Sequence, residues 1–232
     1  NYSKYINDKK KLLVIFRGIN IDYYEPSTKL ENEEKKLLKN WEIEKDKKII
    51  LLPGRLTPWK GQELFIEAIN LVNIELGYEA FYAVILGSDQ GRDLYKKKLT
   101  RLSEQYRMTK QLRFIDHCND MALAYKVSDI IISSSIEPEA FGRVAVEAQS
   151  MEKPIIASNI GGSNETIIDN ITGFLFDSGS AKSLSEKILK VLNFNDTLLK
   201  SIGTEGRKNI ANKFNVEKMC FSTYSEYKRL FN

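Results

Sequence analysis

The sequence predicts an α/β protein in which a parallel sheet is covered by helices on both faces. Between residues 48 and 176, short apolar segments alternate with longer segments that carry an apolar stripe at helical spacing. The short segments are apolar at successive positions, which is typical of strands buried on both faces. Ligands of such folds bind at the carboxyl ends of the strands. We therefore expect functional residues directly after the predicted strands.

The elements follow from apolar periodicity and from turn residues. Residues 12–16 are apolar and lead into an irregular connector over 22–26, and a helix is predicted over 31–41. The predicted strands are 48–52, 81–86, 112–115, 130–132, 154–157 and 173–176. The predicted helices between them are 62–73, 93–106, 121–127, 141–151 and 165–168. Helices without intervening strands close the chain over 181–192, 196–214 and 216–230.

The segment 137–147 (EPEAFGRVAVE) follows a predicted strand and its serine cluster. A helix cannot readily include the residue before Pro138, so we expect it to start near Phe141. The first amides of a helix are unpaired and carry partial positive charge. Phosphate is therefore a natural ligand beside Ala140, Phe141 and Gly142.

Two carboxylates flank this helix start. If Glu139 and Glu147 were both helical, they would lie roughly 12 Å apart along the axis. A pair acting on one glycosidic bond needs about 5 to 9.5 Å, so hydrolysis is the poorer interpretation. The two residues could hold opposite ends of one long ligand. Alternatively, one is an exposed acidic residue before the helix and the other lies within it.

Basic and glycine residues follow two other predicted strands. Gly54 and Arg55 come after strand 48–52, and Lys60 opens the next helix; a guanidinium fork and an ammonium group both suit phosphate oxygens. Gly161 and Gly162 follow strand 154–157, where paired glycines either let the backbone approach a ligand or simply form a tight turn.

Composition narrows the classes of function. The formal net charge is +4, and basic clusters at residues 9–11, 45–48 and 96–98 are expected to be solvated faces, with weak attraction to an anionic membrane or an acidic sugar acceptor as the alternative. Nothing indicates nucleic-acid binding. His117 beside Cys118 has no second ligand cluster, so no metal site is expected.

No apolar run is long enough for a membrane span, and we expect a cytoplasmic protein. The chain starts at Asn1, so we expect a piece of something longer.

The order of these motifs resembles the family-4 retaining glycosyltransferases. The likeness lies in Glu139 and Glu147 separated by seven residues, with Phe141 and Gly142 between them, preceded by the Gly-Arg and Lys-Gly pairs. It implies a Rossmann-like domain forming one half of a GT-B architecture, with a nucleotide-diphosphate sugar as donor and neither cofactor nor metal. No Asp-x-Asp motif occurs, in contrast to the metal-chelating route of other glycosyltransferase folds.

The resemblance also assigns roles. Arg55 and Lys60 would stabilise the diphosphate leaving group, Glu139 would hold the donor sugar, and Glu147 would hold the ribose; Glu139, Arg55 and Lys60 are the expected catalytic residues. The base would lie against Phe114 and Ile115, although Asp116 stands where relatives commonly have glycine. The expected donor-binding residues are Gly54, Arg55, Lys60, Phe114, Ile115, Glu139, Ala140, Phe141, Gly142, Glu147, Gly161 and Gly162.

The same likeness suggests a domain organisation and partners. Residues 1–30 would be an interdomain linker, 31–215 the nucleotide-sugar domain, and 216–232 a helix crossing back to a missing N-terminal domain. Tyr224, Tyr227, Leu230 and Phe231 would then be partly exposed, unless the helix packs on this domain's own sheet. The acceptor would be a glycan or a lipid-linked hydroxyl of bacterial lipopolysaccharide or polysaccharide synthesis, at the inner face of the membrane. Two alternatives are a nucleotide-sugar 2-epimerase-like isomerase and a non-catalytic interaction module.

Overall fold

The computed structural model describes residues 12–27, 30–44, 46–77 and 80–231. The rest of the predicted 1–30 linker, the basic cluster 9–11, Lys45 and the last residue lie outside the described residues. The strands are β1 (Lys48–Pro53), β2 (Phe81–Leu86), β3 (Leu112–Ile115), β4 (Ile130–Ser133), β5 (Ile155–Ser158) and β6 (Phe174–Phe176). The helices are α1 (Glu31–Asn40), α2 (Gln62–Leu76), α3 (Asp93–Gln105), α4 (Met121–Val127), α5 (Arg143–Ser150), α6 (Ser163–Thr166), α7 (Ala181–Leu192), α8 (Asp196–Lys213) and α9 (Val216–Phe231).

The strands form one six-stranded sheet with the order β3-β2-β1-β4-β5-β6. Every neighbouring pair is parallel, so all the carboxyl ends lie at one edge. The strand order reverses between β1 and β4, which is the point where doubly wound sheets open a crevice for ligands. The predicted α/β class is confirmed.

Helices cover both faces of the sheet. One core contains Phe65 of α2, Leu99 of α3 and Ile188 of α7, packed on one face. The other contains Trp41 and Tyr125, packed with α5 on the opposite face. The strands are buried on both sides because their side chains alternate between these two cores. This explains why they are apolar at successive positions.

The helix that follows β4 starts two residues later than predicted. Gly142 precedes α5 with φ +74°, in the left-handed region that glycine adopts readily, and Arg143 is the first helical residue. Glu139 therefore lies in the loop, and the axial distance expected for two helical carboxylates does not apply. The helix predicted over 165–168 is instead Ser163–Thr166. The bounds of β2, β3, α4 and α7 are those predicted, and the bounds of the remaining elements move by one to three residues.

The C-terminal helix α9 contributes no residue to the core. Val146 of α5 packs against Ile210 and Phe214 at the end of α8, which joins α8 to the sheet domain. Beyond that point, Tyr224, Tyr227, Leu230 and Phe231 are all exposed, so the alternative that they pack on this domain's own sheet is wrong. Within the described ranges, every helix is too short or too polar to cross a bilayer.

Candidate functional site

A cavity of about 520 Å³, the central cleft, opens at the carboxyl edge of the sheet. Its walls come from the loops after β1, β2 and β3 and from helices α4 and α5. Its lining includes Gly54, Arg55, Gly87, His117, Tyr125 and Glu147. The cleft therefore lies where a doubly wound sheet is expected to bind a ligand.

Arg55 is exposed, but its backbone is firmly held. The buried Gln62 at the start of α2 donates its amide to the Arg55 carbonyl oxygen at 2.8 Å, and the Gly54 amide donates to the Leu86 carbonyl oxygen at 2.8 Å. A Cβ on Gly87 would lie 2.1 Å from the Gly54 carbonyl oxygen, so only glycine allows this close approach. An exposed side chain thus reaches the cleft from a backbone that is held on both sides.

Lys60 ends a short 3-10 turn, Pro58–Lys60, before α2. Its ammonium group lies 2.8 Å from Oε1 of Glu139, and the two side chains are only 13% and 17% exposed. The same group lies 4.5 Å from the centre of the Trp59 ring, within cation–π range. The alkyl carbons of Lys60 lie 3.6 to 3.9 Å from the position that a Cβ on Gly54 would occupy. The structure therefore brings Lys60 and Glu139 together beside Gly54, at the rim of the central cleft.

The loop carrying Glu139 is held by β4 and by the paired glycines. Ser135, just after β4, donates to Glu139 Oε1 at 2.5 Å. The Gly162 amide donates to the Glu139 carbonyl oxygen at 2.8 Å. Gly161 has φ +59°, and a Cβ there would lie 2.7 Å from that same oxygen. Gly161 and Gly162 thus support the loop of Glu139 and Ala140, whether or not they also contact a ligand.

The start of α5 is adjacent to that loop. Its regular bonding begins when the Ala145 amide donates to the Gly142 carbonyl oxygen at 3.0 Å, so the preceding amides have no acceptor within the helix. Phe141 turns away from the central cleft and packs 5.9 Å from the Phe214 ring. Phe141 could therefore contact a phosphate through its backbone but not through its ring.

Glu147 lies one turn into α5 and is 5% exposed. Tyr125 donates its hydroxyl to Oε2 at 2.8 Å, and Arg143 donates to Oε1 through Nε at 3.1 Å and Nη2 at 2.7 Å. The negative charge of Glu147 raises the pKa of Arg143, and burial followed by that charge raises the pKa of Tyr125 well above its ordinary value. Glu147 is thus a buried residue at the cleft whose two carboxylate oxygens both have donors, not a solvated helix residue.

Phe114 and Ile115 do not line the central cleft. They border a neighbouring cavity of about 460 Å³ beside Trp41, while the loop after β3 reaches the cleft through Asp116, His117 and Cys118. Lys96 pairs with the exposed carboxylate of Asp116 at 2.5 Å. Burial raises the pKa of the Cys118 thiol, which favours its protonated form.

The structure adds residues that sequence reasoning missed. Tyr125, Arg143, Ser135 and Gln62 all contact a predicted site residue or its backbone. Tyr125 offered one signal, because a buried tyrosine hydroxyl needs a polar partner. Arg143, four residues before Glu147, offered another, since residues at that spacing share a helix face.

The fold and the position of the cleft place the chain among Rossmann-like α/β domains of the GT-B type. The chain belongs to the glycosyl transferases group 1 family, whose family model matches residues 33–209. A crystal structure of a glycosyltransferase from Rickettsia africae is 33% identical, with a TM-score of 0.92 over 97% of this chain and 59% of that one.

Two further comparisons define the extent of the match. The capsular polysaccharide biosynthesis glycosyltransferase CapM of Staphylococcus aureus is 28% identical over 85% of this chain and 49% of its own length. HepE of Anabaena, solved in complex with UDP and glucose, is 23% identical with a TM-score of 0.83 over 93% of this chain and 56% of HepE, a likeness that shows the fold alone. The chain spans about half the length of the curated relatives it matches.

Proposed function

We propose that the chain is the donor-binding half of a family-4 retaining glycosyltransferase and that it binds a nucleotide-diphosphate sugar in the central cleft. The observation that carries this proposal is the Lys60–Glu139 ion pair beside Gly54, together with Arg55 and Glu147, which both line the cleft. Cations and carboxylates at one sheet edge match a ligand that has a diphosphate and hydroxyl groups.

Arg55, Lys60 and the amides at the start of α5 would hold the diphosphate. Arg55 is exposed enough to wrap around the phosphate oxygens, while Lys60 is held at the rim by Trp59 and Glu139. Breaking the anomeric bond places negative charge on the diphosphate, and preorganised cations stabilise that developing charge. We propose that these groups supply the neutralisation without a metal ion.

Glu139 and Glu147 would bind hydroxyls at the two ends of the donor. In the ligand-free chain, Lys60 and Ser135 occupy Oε1 of Glu139. We propose that the diphosphate takes over Lys60 and that Glu139 then accepts hydrogen bonds from the donor sugar, a hexose in this assignment. Glu147 would accept hydrogen bonds from the ribose.

The acceptor would bind through a second domain. A cavity of about 610 Å³ shares Arg143 with the cleft and is also bordered by Arg17, Tyr23 and Met219, the last of which belongs to α9, a helix with exposed apolar residues. We propose that an N-terminal domain covers these surfaces and presents a glycan or lipid-linked hydroxyl, near the inner face of the cytoplasmic membrane. The likeness to CapM supports bacterial polysaccharide synthesis as the context.

Calorimetric titration with UDP and with GDP tests the proposal. HepE, which has this fold, was solved with UDP, so UDP is the first nucleotide to test. We expect Arg55→Gln and Lys60→Gln each to weaken binding by about 10-fold to 100-fold, because each removes a charge-assisted hydrogen bond. Lys110→Gln, an equal change of charge at an exposed position before β3, should leave affinity within about twofold. If the wild-type chain shows no binding of either nucleotide, or if all variants bind equally well, the proposed site is refuted.

A further inference from the structure

The carboxylate of Glu147 has two very different partners. On one oxygen, Oε2, the donor is the Tyr125 hydroxyl at 2.8 Å, from a side chain that is fully buried. On the other, Oε1, the donor is the Arg143 guanidinium, from a side chain that is 74% exposed. One oxygen therefore has a fixed partner, and the other has an exchangeable one.

Tyr125 is fixed by the core. It lies on α4, packs with the apolar residues of one face of the sheet, and has the Tyr24 ring edge-on at 6.2 Å. Burial and the neighbouring Glu147 charge keep its hydroxyl protonated, so it remains a donor. A buried carboxylate that accepts such a bond cannot rotate without losing it, which would cost a desolvated hydrogen bond. Tyr125 thereby sets the plane of the Glu147 carboxylate.

Arg143 has the opposite character. It pairs with Glu147 four residues along α5, and because its own side chain is 74% exposed, its guanidinium can leave the pair for solvent without being buried unpaired. It borders both the central cleft and the neighbouring cavity of about 610 Å³, so it has space on either side to move into. A ligand hydroxyl can replace it on Oε1 without uncovering the buried oxygen.

We propose that Tyr125 is the positioning residue for ribose recognition: it orients Glu147 so that Oε1 accepts from the vicinal hydroxyls of the nucleotide, while Arg143 is the partner that yields. This inference rests on the proposed nucleotide binding and adds to it the residue that enables discrimination of the ribose. Tyr125 does not touch the donor through its hydroxyl; it acts through Glu147.

The test is a ratio of two affinities measured on the same protein. The wild-type chain is titrated with UDP, GDP and ADP, and the nucleotide that binds tightest is compared with its 2′,3′-dideoxy analogue. We expect the ribonucleotide to bind about 10-fold or more tightly, the effect of hydrogen bonds to a charged acceptor. Tyr125→Phe should lower this ratio by about threefold or more, because the carboxylate loses its fixed orientation. A merely structural effect of the substitution would weaken both nucleotides equally and leave the ratio unchanged.

Two further variants complete the test. Tyr82→Phe removes a hydroxyl from another buried tyrosine of the same core, and it should keep the wild-type ratio. Arg143→Gln changes an exposed side chain, so it keeps the test decisive if Tyr125→Phe fails to fold. In this variant the ratio of ribonucleotide affinity to dideoxynucleotide affinity should equal that of the wild type, even though both absolute affinities change. An unchanged ratio in Tyr125→Phe, or a lost ratio in Arg143→Gln, would overturn the inference. Equal binding of both nucleotides by the wild type would also overturn it, whereas binding of none would instead refute the proposed function.

Discussion

Substitution of Gly61 by alanine should displace Lys60 and weaken the site from a position that touches no ligand. Gly61 joins the turn that carries Lys60 to α2, with φ +72°. A Cβ at Gly61 would lie 2.0 Å from the Ser134 carbonyl oxygen, which is part of the backbone after β4. Since neither backbone segment can rotate away as a side chain could, the turn and the end of β4 must separate.

The expected cost has several parts. An alanine in the left-handed region costs about 1 to 2 kcal/mol. Separation by about 1 Å would also break the hydrogen bond of the Ser134 hydroxyl, whose single proton is shared between the carbonyl oxygens of Lys60 at 3.1 Å and Gly61 at 3.0 Å and which is worth about 1 kcal/mol. We therefore expect a loss of about 2 to 3 kcal/mol in the free energy of unfolding.

Gly77 provides the matched control at the other end of α2. It also has a positive φ, +85°, but among the described residues nothing lies within 4 Å of the position of its Cβ. Its ψ of 154° places Gly77 outside the left-handed helical region, in a conformation nearly restricted to glycine, so Gly77→Ala should cost about 1 to 3 kcal/mol from backbone strain alone and leave Lys60 in place. Urea denaturation measures both losses, and calorimetry with the nucleotide measures the displacement of Lys60. If Gly61→Ala matches Gly77→Ala in stability and binds nucleotide like the wild type, the backbone contact does not position Lys60.

Two other predictions concern single interactions. Lys60→Met and Glu139→Gln should show a coupling of about 1 to 2 kcal/mol in a double-mutant cycle of unfolding, because the ion pair is largely shielded from water; additive effects would mean that the pair contributes nothing. The pKa of Tyr125 is raised in the folded chain from a reference of 10.0, so the stabilisation is complete below about pH 10 and is lost as the pH rises further. The free energy of unfolding should thus fall more steeply above about pH 10 in the wild type than in Tyr125→Phe, and identical slopes in alkaline urea titrations would contradict the burial of that hydroxyl.

Local patterns were sufficient for the fold. Strand β2 is apolar at each position, and helix α2 carries an apolar stripe. Both form where this periodicity predicts them. The first residue of α5 was harder to predict. Pro138 indicates that the helix begins after it but not at which residue, and the left-handed conformation of Gly142 sets the start at Arg143.

The site was predictable to the extent that residues following a strand meet at one edge. Lys60 and Glu139, which follow β1 and β4, form an ion pair for that reason, and Arg55 lines the central cleft. The burial of Glu147 was not predictable, because it depends on how α4 places Tyr125 against α5 across a long separation in the chain. For the same reason, residues 116–118 reach the cleft instead of Phe114 and Ile115: the loop after β3 bends toward α4.

The exposed face of α9 illustrates a different limit. Its aromatic and aliphatic residues follow helical spacing, which predicts burial on one side of the helix. The helix nevertheless buries none of them on this domain. Periodicity identifies an apolar face, but not the surface that covers it.

The most direct measurement is a crystal structure of the chain with the nucleoside diphosphate that it binds most tightly. We expect the diphosphate at the carboxyl edge of the sheet, with oxygens within about 3.5 Å of Lys60 Nζ and the Arg55 guanidinium. An ordered nucleotide whose diphosphate lies outside the central cleft, with Lys60 still paired to Glu139 and Arg55 in solvent, would contradict the proposed site.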